Sequence, residues 1–596
     1  MMSATIEAAP RWDLSAFYAG VDDPAILRDL DVVRAGASHL REQYRGKVHT
    51  LDEAALAVAL RAFEAHSIQC WRLMAYAWLT FSADSTDDSI QRLLGRVRGA
   101  LSAIEADTQF FELELQQLSA DTFESLAASP VLEGWSHYLR RLRNFIPHTL
   151  PEGEERVMTI KDVTGQQAWQ QLYTEMCAAM RIDVPGAGTL TLSDARALRQ
   201  SPDRTVREAA TISINQAFAE RAHVLTFIFN TIFEDHRQSM ELRHYDDPMA
   251  QTLLGDDLDA GVIDALMGAT EAHYPLVQRY YRLKAEVLGL GDFRSHDVLA
   301  PLARAEQTIC FSEAQDIVLD AFQSFSPEFG KLAQTFFENR RIDVPPAPGK
   351  QGGAFCAGLW PGMQPYVLLN FTGKLDDVST LAHELGHGIH FMLAGETLPL
   401  QSFHPIIPLA ETASTFAELI TVNRLLQEQT DPDIRLQLMA SRIETGINTI
   451  MRQVMVTRWE KLAHARRREG FVSAEIFCEL WERQNLNLTG CAVIRNETDR
   501  WGWISVPHLI QSRFYCYSYA FGQLLVYALY QQYLEEGESF VPKLLEILRA
   551  GGSRPVTDVL ADVGIDIHDP NLWRKGLNGM TRMVDEFEAA IPSATR

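Results

Sequence analysis

Apolar residues recur at three- and four-residue spacing over most of the chain, and this period, broken at clusters of Gly, Pro and Asp, predicts a mainly α protein. The stretch from Leu51 to Leu118 reads as paired helices of Ala, Leu and aromatic residues, and a further helical run leads up to Met180. Between Arg181 and Leu192 the pattern changes to alternation around Pro185-Gly186-Ala187-Gly188, a hairpin signal, with Ser193 and Asp194 expected to cap the next helix. A boundary placed here gives an N-terminal helical domain over residues 1–190 and a second domain over 191–596. From Ser201 to Leu290 the pattern is helical again, with charges spaced along apolar faces as a solvated surface. Prolines and glycines break this regime between Ile342 and Thr372, and the β-rich run from Tyr366 to Thr372 predicts a small sheet just before the next helix.

Composition narrows the classes. Of 596 residues, 46% are hydrophobic and 22% charged, which excludes a disordered or fibrous chain. A net charge of -24 repels phosphate backbones and anionic lipid, so neither nucleic acid nor a membrane surface is expected as a partner. No apolar run approaches the length of a membrane span, and Met1 to Trp12 lacks the apolar core of a secretion signal. Seven cysteines, an odd number without C-x-x-C pairs, indicate neither a disulfide framework nor a thiolate zinc site. A soluble cytoplasmic protein is the expectation, with its oligomeric state left open.

The chemistry concentrates in the helix expected from Asp377 to Ala394, capped by Asp376, Asp377 or Ser379 and ended at Gly395. It contains His383-Glu384-Leu-Gly-His387. Residues four apart share a helix face, so the two imidazoles can hold one Zn²⁺, while Glu384, one residue round, reaches a zinc-bound water without ligating. Gly386 and Gly388 each cost a helix interior about 1 kcal/mol relative to Ala, a penalty that makes sense if something packs closely against that turn. A catalytic zinc takes three protein ligands. A metzincin would need glycine at 390 and histidine at 393, where this chain has His390 and Leu393, so that class is rejected. His390 is expected to be a packed or supporting imidazole, because one straight helix rarely places three ligands round a tetrahedral ion. The next helix, from Pro408 to Ile420, carries Glu411 and Glu418 two turns apart on one face. One carboxylate can ligate while the other fixes a ligand imidazole through its free N–H.

His383-Glu-Leu-Gly-His387-Gly-Ile-His390 followed by Glu411-x-x-Ser414-x-x-x-Glu418 resembles the zinc signature of the thimet-oligopeptidase-like metallopeptidases, and within them the oligoendopeptidase F branch. Trp12-Asp-Leu-Ser-Ala-Phe-Tyr18, Tyr44-Arg-Gly-Lys-Val48, Tyr280-Tyr-Arg-Leu-Lys284 and Gly353-Ala-Phe-Cys356 before Tyr366-Val-Leu-Leu-Asn370 are similar to landmarks of that branch, so the likeness spans nearly the whole chain. The resemblance implies a large helical ellipsoid divided by a deep substrate channel. It implies one zinc per chain held by His383, His387 and Glu411, with Glu384 as general base; Glu418 and His390 keep the supporting roles read from the helices. It also implies a metalloendopeptidase that cleaves internal bonds of short unstructured peptides. Pro507-His508 through Tyr519 resembles the family's His and multi-Tyr segment that donates hydrogen bonds to the tetrahedral intermediate, although Arg513 stands where proline is expected. If this segment is one helix, His508, Tyr515 and Tyr519 share a stripe and Tyr517 faces nearly the opposite way. A strand at Gly352-Gly353-Ala354 is expected to offer backbone groups to an extended peptide. Two competing readings are a dipeptidyl carboxypeptidase, which needs a cation for the substrate's C-terminus, and a peptide-binding scaffold, which would have lost a ligand or the base.

Overall fold

The computed structural model describes residues 9–302 and 308–592. It is 73% helical with two small sheets, so the mainly α expectation holds. Two compact units emerge, each assembled from three stretches of chain: Met1–Ile146, Gln307–Gln427 and Gln532–Ile565 form one, and Pro147–Glu306, Glu428–Gln531 and Asp566–Arg596 the other. Among the described residues no helix is long and apolar enough to cross a membrane.

The first unit begins with three helices, Pro24–Tyr44, Glu53–Ala83 and Asp88–Thr108, each started by an aspartate, Asp23, Asp52 or Asp87, whose carboxylate accepts a backbone N–H of the first turn. Such a cap contributes about 1 kcal/mol. Their apolar faces bury Leu30, Leu79 and Val97 in one cluster with Tyr366 and Leu368. The last two belong to the expected sheet, where Tyr366–Leu368 is the central strand, parallel to Ile342–Asp343 and antiparallel to Phe355–Ala357. Trp12 sets its ring edge-on against Tyr366 at 6.0 Å, fastening the chain start to this sheet. Two long helices follow, Leu375–Ala394 and Ile407–Glu428.

The sheet corrects one expectation. Gly352, Gly353 and Ala354 are not a strand; pairing starts at Phe355. Gly353 takes a φ of 81°, in the left-handed region, which bends the chain just before the strand. Its carbonyl accepts a hydrogen bond from Asn370 Nδ2 at 2.7 Å and is therefore engaged within the protein.

In the second unit the hairpin is where alternation placed it, Arg181–Val184 against Gly188–Thr191. The helix after it, Leu192–Ala197, is capped by Thr191, whose hydroxyl accepts from the Asp194 N–H, and not by Ser193 or Asp194. Asp194 carries the reciprocal role, its carboxylate accepting from the Thr191 hydroxyl at 2.6 Å. Helices Arg204–Glu220, Ala222–Leu242 and Tyr274–Val287 fill the stretch read as helical. Phe229 meets Trp503 edge-on at 4.8 Å, and Trp459 stacks on Trp503 at 5.9 Å, giving this unit an aromatic core.

Candidate active site

The site starts with how the helix Leu375–Ala394 is held at its ends. Lys374 occupies the cap position, and Asp377, one of three expected caps, acts from the first turn by accepting the N–H groups of Thr372 and Lys374 at 2.7 and 3.0 Å. Gly395 ends the helix, as expected. His383 and His387 share one face, their rings 4.9 Å apart and nearly perpendicular. The second helix, Ile407–Glu428, crosses this turn and brings Glu411 to both: its Oε2 lies 3.3 Å from His383 Nε2 and 3.5 Å from His387 Nε2. Donor atoms of these three residues lie within 4.8 Å of one another, a group able to hold a metal ion.

Gly386 explains how the helices come so close. A Cβ there would stand 2.6 Å from the Ala413 carbonyl oxygen and from Ser414 Cα, so any larger residue forces the Glu411 helix away. At Gly388 the Phe336 ring occupies the space a side chain would need. The helix-weakening glycines are thus contact surfaces, as the sequence reading expected.

Glu418, two turns beyond Glu411, places Oε2 3.4 Å from His383 Nδ1, so opposite nitrogens of one imidazole face two carboxylates. Ser414 donates to Glu411 Oε2 at 3.0 Å and steadies that carboxylate; its place three residues after Glu411 on a helix was the available sequence signal. Burial alone would lower the His383 imidazole, but Glu411 and Glu418 outweigh it and raise it to about 10. Glu384 is only 7% exposed, and burial pushes its carboxyl up against the opposing pull of His383 and His387. His390 is not one of the metal-binding group; it is buried, pushed down to about 3 by burial, and set against the backbone of Ala410 just before Glu411.

The second unit holds the His and Tyr cluster. His508, Tyr515 and Tyr519 come together, but not along one helix: a short helix, His508–Gln511, is followed by a turn and then by Tyr517–Glu536. The turn depends on Phe514, which adopts a φ of 56° and donates its N–H to the Glu460 carboxylate at 2.8 Å. Folding back stacks the His508 and Tyr515 rings at 5.3 Å and puts Tyr519 edge-on to Tyr515 at 5.1 Å, with Tyr519 Oη 3.3 Å from His508 Nε2. Tyr517 does face elsewhere, donating to buried Asp256 at 2.5 Å. Glu460 and Asp256 carried no sequence signal, since each sits far along the chain from the group it holds.

The sequence pattern described as Peptidase family M3 matches residues 197–579 of this chain. The chain belongs to peptidase family M3. A second pattern, described as Oligopeptidase F, matches residues 114–182. Membership makes the chain a metalloendopeptidase and gives the His-His-Glu group its context. Among M3 relatives, the oligoendopeptidase F homolog of Lactococcus lactis is 26% identical over 97% of both chains, and oligopeptidase PepF of Bacillus subtilis 24% identical over 98% of this chain and 88% of its own. The fold is also that of oligoendopeptidase-F from Enterococcus faecium, with a TM-score of 0.71 at 21% identity over 95% of this chain and 98% of that one. A solved chain from Chlamydophila abortus has a TM-score of 0.87 at 22% identity, covering 98% and 99%.

Proposed function

We propose that this M3 peptidase is a zinc-dependent oligoendopeptidase that hydrolyses internal bonds of short unstructured peptides, with one zinc per chain on His383, His387 and Glu411. The carrying observation is the spacing of the donor set. A tetrahedron with metal bonds of about 2.0 to 2.1 Å has edges of about 3.3 to 3.4 Å, and the two Nε2 to Oε2 separations of 3.3 and 3.5 Å fit such edges. The Glu418 carboxylate at His383 Nδ1 supports this assignment, because a ligating imidazole ordinarily gives its other N–H to a carboxylate or carbonyl.

Bound there, zinc would supply Lewis acidity toward the scissile carbonyl and toward water. Glu384 takes a proton from the attacking water and returns it to the leaving amine, and burial, which raises its carboxyl, makes it a stronger base for the first transfer. His508 and Tyr519 donate hydrogen bonds to the carbonyl oxygen as it gains charge, and Tyr515 holds the His508 ring by stacking. Gly352, Gly353 and Ala354 lead into the strand Phe355–Ala357, which pairs on one edge only among the described residues and offers its other edge to an extended peptide. The family patterns end at residue 182 and resume at 197, which supports a sequence boundary near residue 190. Seven unpaired cysteines support a cytoplasmic location.

Mass spectrometry of products from a mixed peptide pool, with and without chelator, tests the reading. Internal cuts that vanish with chelator and return with zinc are expected; cleavage indifferent to the chelator overturns the metal assignment.

A further inference from the structure

The second unit contains a cavity of about 210 Å³, and none of its lining residues belongs to the metal-binding group or to the segment His508–Tyr519. Its walls come from three stretches of chain: the helix Ala222–Leu242, residues 245–248 that follow it, and the end of the helix Arg452–Arg468. At ~30 Å³ per water the cavity has room for about seven waters, or for one molecule of about as many non-hydrogen atoms. Phe233, Met240 and Pro248 make the lining partly apolar. Charges of both signs complete it. Arg237 and Arg467 are held by Glu234 at 2.7 and 3.1 Å, while Arg468 and Asp246 form no ion pair or hydrogen bond among the described residues and keep their charges available. A simple anion would meet the repulsion of Asp246 and Asp247, and a simple cation that of the arginines. A small molecule carrying a carboxylate, an ammonium and an apolar group suits all three kinds of lining.

Two of the cavity's walls also support the turn that brings His508 and the tyrosines together. His464 lines the cavity and sets its ring 4.8 Å from that of Phe514, the left-handed residue of the turn. One turn earlier on the same helix, Glu460 accepts the Phe514 N–H. Pro248 makes the second connection. Its carbonyl accepts from His236 Nε2 at 2.6 Å, and the short helix that starts two residues later, Ala250–Gly255, reaches the turn from another side. Thr252 Oγ1 donates to the Arg513 carbonyl at 3.3 Å, and Asp256, just past the helix, accepts from Tyr517. A void leaves the residues around it without partner atoms on one side, and a strained turn persists only while its surroundings over-determine it. His464 Nε2 also lacks a hydrogen-bond partner among the described residues. Filling the cavity therefore adds contacts behind both supports of the Phe514 turn.

We propose that this cavity is a second binding site, for a free amino acid with an apolar side chain, and that its occupancy raises turnover by steadying the group of His508, Tyr515 and Tyr519. The carboxylate pairs with Arg468, the ammonium with Asp246, and the side chain lies against Phe233, Met240 and Pro248. The effect on turnover rests on the roles proposed above for His508 and Tyr519; the binding does not.

The test uses full-length enzyme with L-valine as the probe. Calorimetry should show one saturable site with a Kd of about 1 mM or below, and N-acetyl-L-valine and L-valinamide, each lacking one charge, should bind at least about tenfold more weakly. Arg468→Gln and Asp246→Asn should each weaken valine binding by a similar factor. Saturating valine should raise kcat for an internally quenched peptide at least about twofold with little change in KM. Absence of binding, or binding that survives both substitutions, overturns the site. Binding that leaves kcat unchanged or lowers it overturns the link to turnover. Calorimetry needs neither metal nor hydrolysis, which separates the two readings. A protein that binds valine but cuts no peptide fails the hydrolytic reading alone, whereas one that cuts peptides and binds no valine fails the site alone.

Discussion

His383 Nδ1 faces the Glu418 carboxylate at 3.4 Å while Nε2 of the same ring faces Glu411. Both carboxylates come from one helix, two turns apart, so its placement sets both sides of the imidazole. Glu418→Gln is expected to leave the fold intact and weaken metal binding about 10- to 100-fold, because the ring loses the charged acceptor that fixes its tautomer. Competition against a chromogenic chelator measures this, and unchanged affinity would remove Glu418 from the site.

Glu384 and Glu411 should separate by metal content. Glu384→Gln keeps the shape but cannot take a proton, so activity should fall by at least about a hundredfold with metal nearly intact. Glu411→Ala should lose metal. Elemental analysis of both proteins decides it, and equal metal loss in the two would show that base and ligand have been assigned wrongly.

Gly386→Ala tests the helix crossing. The added methyl meets the Ala413 carbonyl and Ser414 backbone at 2.6 Å, so the Glu411 helix must retreat. A loss of stability of about 1 to 3 kcal/mol is expected from overpacking, together with weaker metal binding. A variant with wild-type Tm and metal affinity would contradict the close-approach role.

The tyrosines should divide by partner. Tyr519→Phe removes a hydroxyl 3.3 Å from His508 and should lower kcat and kcat/KM together by about a hundredfold with Tm unchanged. Tyr517→Phe deprives the buried Asp256 carboxylate of a donor and should cost about 1 to 3 kcal/mol of stability. Its kcat should hardly move. The reverse pattern, with Tyr517 controlling turnover, would exchange their roles.

Glu460 predicts a pH effect. It is 1% exposed, and burial pushes its carboxyl up to about 8 despite the Phe514 N–H and Arg513. Because the folded value exceeds the unfolded one, near 4.5, its contribution to stability is full below pH about 4.5. It is then lost as pH rises toward 8. Glu460→Gln keeps an acceptor for Phe514 and escapes the penalty, so its unfolding free energy relative to wild type should climb between pH 5 and 8, by an amount on the order of a few kcal/mol at the upper end. A difference independent of pH would place the titration elsewhere.

The pairing of His383 and His387 on one face, with Glu384 one residue round, and the helix that carries them were legible because helical spacing is a local property: four residues return to one face whatever surrounds them. The hairpin at Arg181–Thr191 and the sheet around Tyr366 were legible for the same reason, since alternation and turn residues act over a few positions. Choosing Glu411 over Glu418 as the carboxylate between both imidazoles needed the crossing at Gly386, a contact between segments whose sequences do not mention each other. The His508 cluster shows the limit most plainly. Helical spacing grouped three residues that do meet, but by another route, because a left-handed Phe514, held by Glu460 from 54 residues away, replaces the continuous helix with a fold-back. Period and spacing report what neighbouring residues share, whereas a buried carboxyl group that stabilises a strained turn acts through space, and only the tertiary structure contains that term.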